Sequence, residues 1–366
     1  MHRKLHRLEE LGWNSFFSNQ ITADDEADLA PVRVVEEQRG SYRILGEPGA
    51  WYAELSGRLR HQLELGEAIR PCVGDWVLAR VPAGEPGSGT ALIGRALARR
   101  TRFSRKEAGE RTAEQVIAAN IDTVFLVQSM NRDLNPRRIE RYLALLWESG
   151  ADPVLVLSKS DLCEDPDAAL ESVEQVAGGV SIHTVNAVTS DGLDPLRPYL
   201  APGRTVALVG SSGVGKSTIV NCLIGREEMR VQEIREADDR GRHTTTARHL
   251  VVLPEGGMLI DTPGMRTVLM WEGEEGLAQT FQDVEALASE CKFRDCTHGS
   301  EPGCAVHAAL GSGALDPARW KSYQKLQREV RHEASKTDVK LRLEQAKKWR
   351  RIHLEARRRP DKRKLR

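Results

Sequence analysis

Between residues 31 and 98, apolar and polar positions alternate in short runs: VRVVEE, SYRILG, WYAELSG, GDWVLARV and ALIGRAL. Gly- and Pro-rich turns such as GEPG and PAGEPGSG separate them. Period-two alternation bounded by such turns predicts β-strands. Five short strands in so small a segment predict a closed barrel, and the OB-fold is the commonest such barrel on nucleic acid. A barrel that only packs against its neighbour is the other reading. Beyond residue 113 the pattern changes. Continuous apolar runs (DTVFLVQS, PVLVLS, SIHTV, TVALVG) alternate with helical periodicity over 136–149 and 166–177. Strands of that kind alternating with helices predict a parallel sheet covered on both faces. Past Trp271 the chain reads as helical and cysteine-bearing, and then as a long polar helix from about 317 to 358 that is too polar all round to be buried.

These changes divide the chain into a flexible N-terminal arm (1–30, acidic at ADDEAD), an OB-fold RNA-binding barrel (31–98) and a basic linker (99–112). An α/β domain (113–272), a cysteine-bearing helical module (273–318) and a basic helical tail (319–366) follow. The fold class expected is therefore multidomain: an N-terminal β-barrel of OB-fold type, a central α/β domain, and a C-terminal cysteine-bearing helical module with a basic helix.

Charge alters this picture in one respect. The formal net charge is zero, with 53 basic and 53 acidic residues, but from Arg319 onward there are nineteen Lys/Arg against six Asp/Glu. Residues 1–318 therefore hold 34 basic and 47 acidic side chains. A chain polarised in this way points its basic end at an anionic partner, most simply RNA, although a solvated helical extension has the same composition. No run reaches the eighteen apolar residues of a membrane span, and MHRKLHRLEELGW lacks the apolar core of a secretory signal. Cys72, Cys163 and Cys222 are scattered singly while the other three cysteines cluster, which favours a metal site in a reducing cytoplasm over disulfides.

Chemistry concentrates in five short motifs. GSSGVGKST at 210–218 matches the phosphate-binding loop G-x-x-x-x-G-K-[ST], after the strand TVALVG and before the helix STIVNCLIG. Its glycines let backbone N–H groups face phosphates at a helix N-terminus. Gly210, Ser211, Ser212, Gly213, Val214, Gly215, Lys216, Ser217 and Thr218 are accordingly expected to contact the nucleotide. Lys216 would reach the β- and γ-phosphates, and Ser217 would ligate Mg²⁺. DTPG at 261–264 follows the strand GMLI, which lets Asp261 reach Mg²⁺ through water and Gly264 offer its N–H to the γ-phosphate. An ordinary turn is the plain alternative.

In SKSD at 158–161, Asp161 is placed to accept from guanine N1–H and the exocyclic amine, with the stem of Lys159 over the base. Ser158 stands where most GTPases carry Asn or Thr, and its hydroxyl can brace the loop. In NAVTSDG at 186–192, the Ala187 N–H, next to Asn186, can meet guanine O6. GRHTTT at 241–246 supplies a threonine for Mg²⁺. The choice among Thr244, Thr245 and Thr246 is open, and Thr245 is favoured. Met265 occupies the place where many GTPases position the attacking water with glutamine. Slow intrinsic hydrolysis follows, with His243 as the candidate catalytic residue or, equally, a structural hydrogen-bonder in the switch. These motifs run in rotated order: the base-reading loop comes about fifty residues before the phosphate loop rather than after it.

Cys291-x4-Cys296-x-His298-x5-Cys304 offers three thiolates and an imidazole, a set that suits a tetrahedral structural Zn²⁺ with no open position. His307 is a spare imidazole, read as solvated or as a helix cap.

The rotated order, with VGDWV at 73–77, RKEAG at 105–109, GVGKST, GRHTTT, CKFRDCTH and EPGCAV, closely resembles the RsgA/YjeQ family of circularly permuted bacterial GTPases. The resemblance runs from about residue 31 to about 330. It implies a cytoplasmic GTP hydrolase that acts in late maturation of the small (30S) ribosomal subunit, stimulated by that subunit and released with hydrolysis. It further implies that the barrel and zinc module grip ribosomal RNA. The chain departs from the family at Ser158, at Asn186 and in its arm and tail. A monomer without membrane attachment is expected. Two other readings are a nucleotide-regulated RNA-binding module with incidental hydrolysis, kept open by Met265, and a P-loop kinase or ATPase, against which Asp161 argues.

Overall fold

The computed structural model describes residues 7–22, 25, 28–38, 40–47, 49–106, 114–131, 133–224, 248–261, 274–299 and 301–331. The barrel is built from β1 (Ala30–Gln38), β2 (Ser41–Gly46), β3 (Gly49–Leu55), β4 (Trp76–Arg80) and β5 (Thr90–Ala96). β1, β2 and β3 form an antiparallel meander. β3 then pairs parallel with β5, β5 antiparallel with β4, and β4 antiparallel with β1, which closes the ring. Alternate residues turn inward as the pattern predicts, so Val32, Val34, Ile44, Trp51, Val77 and Ile93 fill the interior. The helix Gly57–Leu65 between β3 and β4 was not foreseen. It contributes one fully buried side chain, Leu59, and it starts at Ser56, whose hydroxyl accepts from the Leu59 N–H at 3.2 Å.

After a small hairpin, β6 (Arg102–Lys106) and β7 (Glu114–Ala119), the parallel sheet begins. Its strands are β8 (Thr123–Ser129), β9 (Asp152–Ser158), β10 (Ser181–Val185), β11 (Thr205–Val209) and β13 (Met258–Asp261), with antiparallel β12 (Arg248–Val252) beside the last. In space the order is β10-β9-β8-β11-β13-β12. Odd and even positions bury opposite faces: Leu126, Leu155 and Leu157 pack under the helix Pro136–Glu148, while Phe125, Val127 and Val156 pack under the helix Lys216–Ile224. β12 also pairs with β1 (Glu36↔His249, Glu37↔Arg248), so barrel and α/β layer share one eleven-stranded sheet.

Two expectations need correction. The arm 1–30 is not loose where it is described: Leu11 and Phe17 are buried in the main core, and Trp13 meets Trp76 edge-on at 4.8 Å. Three large apolar side chains within seven residues of a polar stretch have a seam between barrel and α/β layer to fill. Arg33 ties that seam. It is fully buried and donates to the carbonyls of Leu11 (2.5 Å) and Asn120 (2.9 Å), and burial pushes its guanidinium down to about 10.

The second correction concerns the basic tail. Its opening helix, 317–331, is not solvated all round: Tyr323, Leu326 and Val330 lie in a core with Leu277, Phe281, Val284, Val306 and Leu315. Spacings of three and four place these apolar residues on one face despite the surrounding arginines and lysines. The helices Glu274–Thr280, Gln282–Ser289 and Ala305–Ser312 complete this module, which docks on Ala144 and Leu145 of Pro136–Glu148. Gly276 makes the docking close, since a Cβ there would lie 2.0 Å from the Ala144 carbonyl oxygen. The tail beyond residue 331 lies outside the described residues. Among those described, no helix is long and apolar enough to cross a membrane.

Candidate functional site

Every described motif of the nucleotide site lies at one edge of the parallel sheet. The glycine-rich loop leaves the C-terminal end of β11, SKSD that of β9, NAVTSDG that of β10, and Asp261 ends β13. Lateral pairing aligns these ends: Ser158 lies opposite Ser129 and Val185, and Ala207 of β11 lies opposite Ile260 of β13. In open parallel sheets the crevice beyond the carboxyl ends of the strands is the ligand-binding edge.

The glycine-rich loop uses its glycines where no other residue fits. At Gly210 (φ 153°) a Cβ would sit 2.2 Å from the Val127 carbonyl oxygen. Gly213 and Gly215, at φ 77° and 94°, turn the backbone through the left-handed region. Val214 between them points inward to the core, while Ser212, Ser217 and Thr218 are exposed. The Lys216 ammonium lies along the loop and donates to the carbonyls of Gly210 (2.8 Å) and Ser211 (2.6 Å). A flexible ammonium with three donors, held by loop carbonyls at a helix N-terminus, can turn to an anion placed on the same loop.

Ser158 is fully buried at the end of β9, and its hydroxyl donates to the Val214 carbonyl at 2.5 Å. The side chain that departs from the usual Asn or Thr thus bonds the SKSD loop to the glycine-rich loop. Lys159 follows in the left-handed region (φ 57°, ψ 42°), a conformation that costs a non-glycine residue about 1 kcal/mol. It opens the short 3-10 turn Ser160–Leu162, which carries Asp161 on the surface beside exposed Leu162. Asn186 folds its own loop: its Oδ1 accepts from the N–H groups of Val188 (3.0 Å) and Thr189 (3.4 Å). The Ala187 carbonyl accepts from the Cys222 thiol at 3.2 Å, which joins this loop to the helix Lys216–Ile224. Side chains thus tie the SKSD loop to the glycine-rich loop, and the Asn186 loop to the helix that follows the glycine-rich loop. Asp261 is placed by its strand pairing to His249, while His243, Thr244, Thr245, Thr246, Gly264 and Met265 lie outside the described residues.

The metal cluster is compact. The ligand atoms of Cys291, Cys296, His298 and Cys304 all lie within 4.8 Å of one another. Cys291 and Cys304 sulfurs are 3.9 Å apart, and His298 Nδ1 lies 3.5 and 3.6 Å from them. A tetrahedral zinc with ordinary bond lengths sets about 3.8 Å between sulfurs and about 3.6 Å between sulfur and nitrogen, so the donor set fits such an ion. His298 adopts φ 56°, and Cys304 caps the helix Ala305–Ser312, its sulfur accepting from the His307 N–H at 3.4 Å. The exposed His307 ring is not in the cluster.

The sequence reading missed the group that shapes this loop. The Glu301 carboxylate accepts from the Thr297 hydroxyl and N–H and from the Gly299 N–H at 2.8 Å, and these bonds pull it down to about 2. An acid four residues after a threonine is the only signal, and it is a weak one. Also missed was Glu140, fully buried, which accepts from Arg319 (2.9 Å) and Arg137 (2.5 Å). Arg319 in turn grips Asp283 through two bonds of 2.6 Å, bolting the metal module to the α/β domain.

Known proteins share this arrangement. The RsgA GTPase family profile matches residues 96–271. The small ribosomal subunit biogenesis GTPase RsgA of Opitutus terrae is 45% identical over 352 residues, covering 94% of this chain and 96% of its own. RsgA 1 of Oceanobacillus iheyensis is 40% identical over 95% of this chain and 98% of its own. Among solved structures, YjeQ from Thermotoga maritima superposes with a TM-score of 0.62 at 25% identity, covering 82% of this chain and 98% of its own.

Proposed function

The chain belongs to the RsgA GTPase family and is a GTP-hydrolysing enzyme, and from that premise we propose that it binds the small (30S) ribosomal subunit, assists its late maturation, and couples subunit-stimulated hydrolysis to its own release. The observation that carries this reading is the Ser158–Val214 bond, which fixes a carboxylate-bearing loop against a glycine-rich loop at the ligand edge of a parallel sheet. Discrimination of guanine needs a carboxylate held in register with the phosphates, and that bond supplies the register.

In this reading Asp161 accepts from guanine N1–H and the amine, the Lys159 stem covers the base, and Asn186 presents the Ala187 N–H to O6. The N–H groups of residues 210–218 and the Lys216 ammonium take the phosphates. Mg²⁺, implied by the family, would be held by Ser217, Thr245 and Asp261, all oxygen donors, and would neutralise phosphate charge. Gly264 serves the γ-phosphate, and His243 accepts the proton of the attacking water in place of the glutamine that Met265 replaces. The cluster of Cys291, Cys296, His298 and Cys304 holds a structural Zn²⁺. The barrel, the metal module and the basic residues after Arg319 grip ribosomal RNA, and the protein works as a cytoplasmic monomer.

GTP turnover across a titration of purified small subunits, mature and immature, tests the function. Turnover should rise by an order of magnitude or more, as it does when a partner completes a GTPase site. Subunits that bind without changing the rate would overturn the proposed stimulation and its coupling to release. His243→Ala should abolish the stimulation while leaving GTP binding intact.

A further inference from the structure

Three arginines stand close together on the helix Pro136–Glu148, and they part company. Arg137 pairs with Glu140 at 2.5 Å and with Asp316. Arg141 pairs with Glu329 at 2.8 Å. Both are bound to the metal module or to the acid that anchors it. Arg138 turns the other way: its Nη1 donates to the Ser211 hydroxyl of the glycine-rich loop at 3.4 Å. Among the described residues no carboxylate lies within ion-pair distance of it.

That position is unfavourable on three counts. Arg138 is partly buried, which removes hydration from a guanidinium. It occupies the first turn of its helix, where the dipole repels cations. It also sits near the Lys216 ammonium, since both touch Ser211. The backbone that carries it is fixed. Asn135 caps that first turn by accepting from the N–H groups of Arg137 (3.0 Å) and Arg138 (3.1 Å), and buried Glu140 locks the next turn to Arg319. A cation held behind a loop at such a penalty suits a ligand carrying several negative charges on the far side of that loop.

We propose that Arg138 is a positioning residue for the nucleotide phosphates: it anchors the Ser211 side of the loop and adds a fixed positive charge behind it, favouring the triphosphate over the diphosphate. The proposal rests on the GTP-binding reading above. The helix that carries it is also the one on which the metal module docks, through residues other than Arg138.

The test is titration of the full chain with fluorescent GTP and GDP analogues, without ribosomal subunits, for the native protein, Arg138→Met and Arg138→Lys. Arg138→Met should weaken the GTP analogue about tenfold and the GDP analogue about threefold at low salt, because the extra phosphate charge is the one lost. The difference should shrink in high salt, and Arg138→Lys should restore most of the preference. Melting temperatures should stay within two or three degrees of native. An unchanged ratio of GTP to GDP affinity, or equal losses in the Met and Lys variants with a lowered melting temperature, would overturn the proposal. Arg138→Gln, shorter but polar, also removes the charge and gives the same readout if the Met variant fails to fold. Failure of the native chain to bind either nucleotide would defeat the proposed function as well, whereas native-like binding by Arg138→Met defeats this inference alone.

Discussion

The cysteine–histidine cluster and the nucleotide loops both bring a few polar groups together, but they do so at opposite ranges of sequence. Four metal donors come from a single stretch, 291–304, and their neighbours in the same stretch orient them: Glu301 folds the loop, and Cys304 caps the helix that follows. The nucleotide groups come from residues 158 to 261, and a parallel sheet assembles them. The local site is shaped by a short loop with little apolar surface of its own, so an ion held by the four donors would add to its stability. The distributed site has its geometry fixed by buried strands before any ligand arrives. A local site should therefore fail by unfolding, and a distributed one by losing affinity within an intact fold.

Three experiments press on that contrast, beginning with the largest effect. Stripping metal from the protein with a chelator should remove on the order of 10 kcal/mol from the module. Hydrogen exchange should show residues 274–331 losing protection while β8, β9 and β11 keep theirs. A module that stays protected without metal would break the comparison. Next, Lys216→Ala removes a charge-assisted contact to phosphate and should weaken GTP roughly a hundredfold, about 3 kcal/mol. Its melting temperature should match that of the native protein, and a large fall would show that the distributed site is not preformed. The smallest effect is expected for Ser158→Ala, which strands the buried Val214 carbonyl at a cost of about 1–2 kcal/mol. Because Ser158 joins two loops, stability by denaturant and GTP affinity should fall together. Loss of one without the other would show that the bond does not set the register.

What the chain revealed before folding follows the same division. The clustering of Cys291, Cys296, His298 and Cys304 was legible because coordination chemistry restricts residue type and spacing within a few turns of chain. The glycine-rich loop was legible for a related reason, since Gly210, Gly213 and Gly215 occupy backbone positions closed to other residues. Barrel strands β2 and β3 were readable from alternation, each having one wet face, whereas β4 is buried on both faces, Val77 and Ala79 toward the barrel interior and Trp76 and Leu78 toward the α/β layer. The helix Gly57–Leu65 escaped notice because a single fully buried residue, Leu59, leaves almost no period to detect.

The N-terminal segment and the opening of the basic tail were misread for one shared reason. Leu11, Trp13 and Phe17, like Tyr323, Leu326 and Val330, are few among many charges, and their burial depends on surfaces formed elsewhere in the chain. Averages over composition hide such residues. Position on a face decides whether they are buried.

Along the chain alone one could read the residue types expected at a phosphate, base and metal site, their rotated order, and the change from barrel to α/β layer. These are properties of single segments, governed by local backbone freedom, donor chemistry and hydrophobic period. Folding in three dimensions was needed to show that β12 pairs with the barrel's β1, that Ser158 holds one nucleotide loop to another, and that Glu140 and Arg319 bolt the metal module to the helix that carries Arg138 to the glycine-rich loop. Each of these joins residues far apart in the chain. Their strength comes from burial and hydrogen-bond geometry, which exist only once the layers have closed around them.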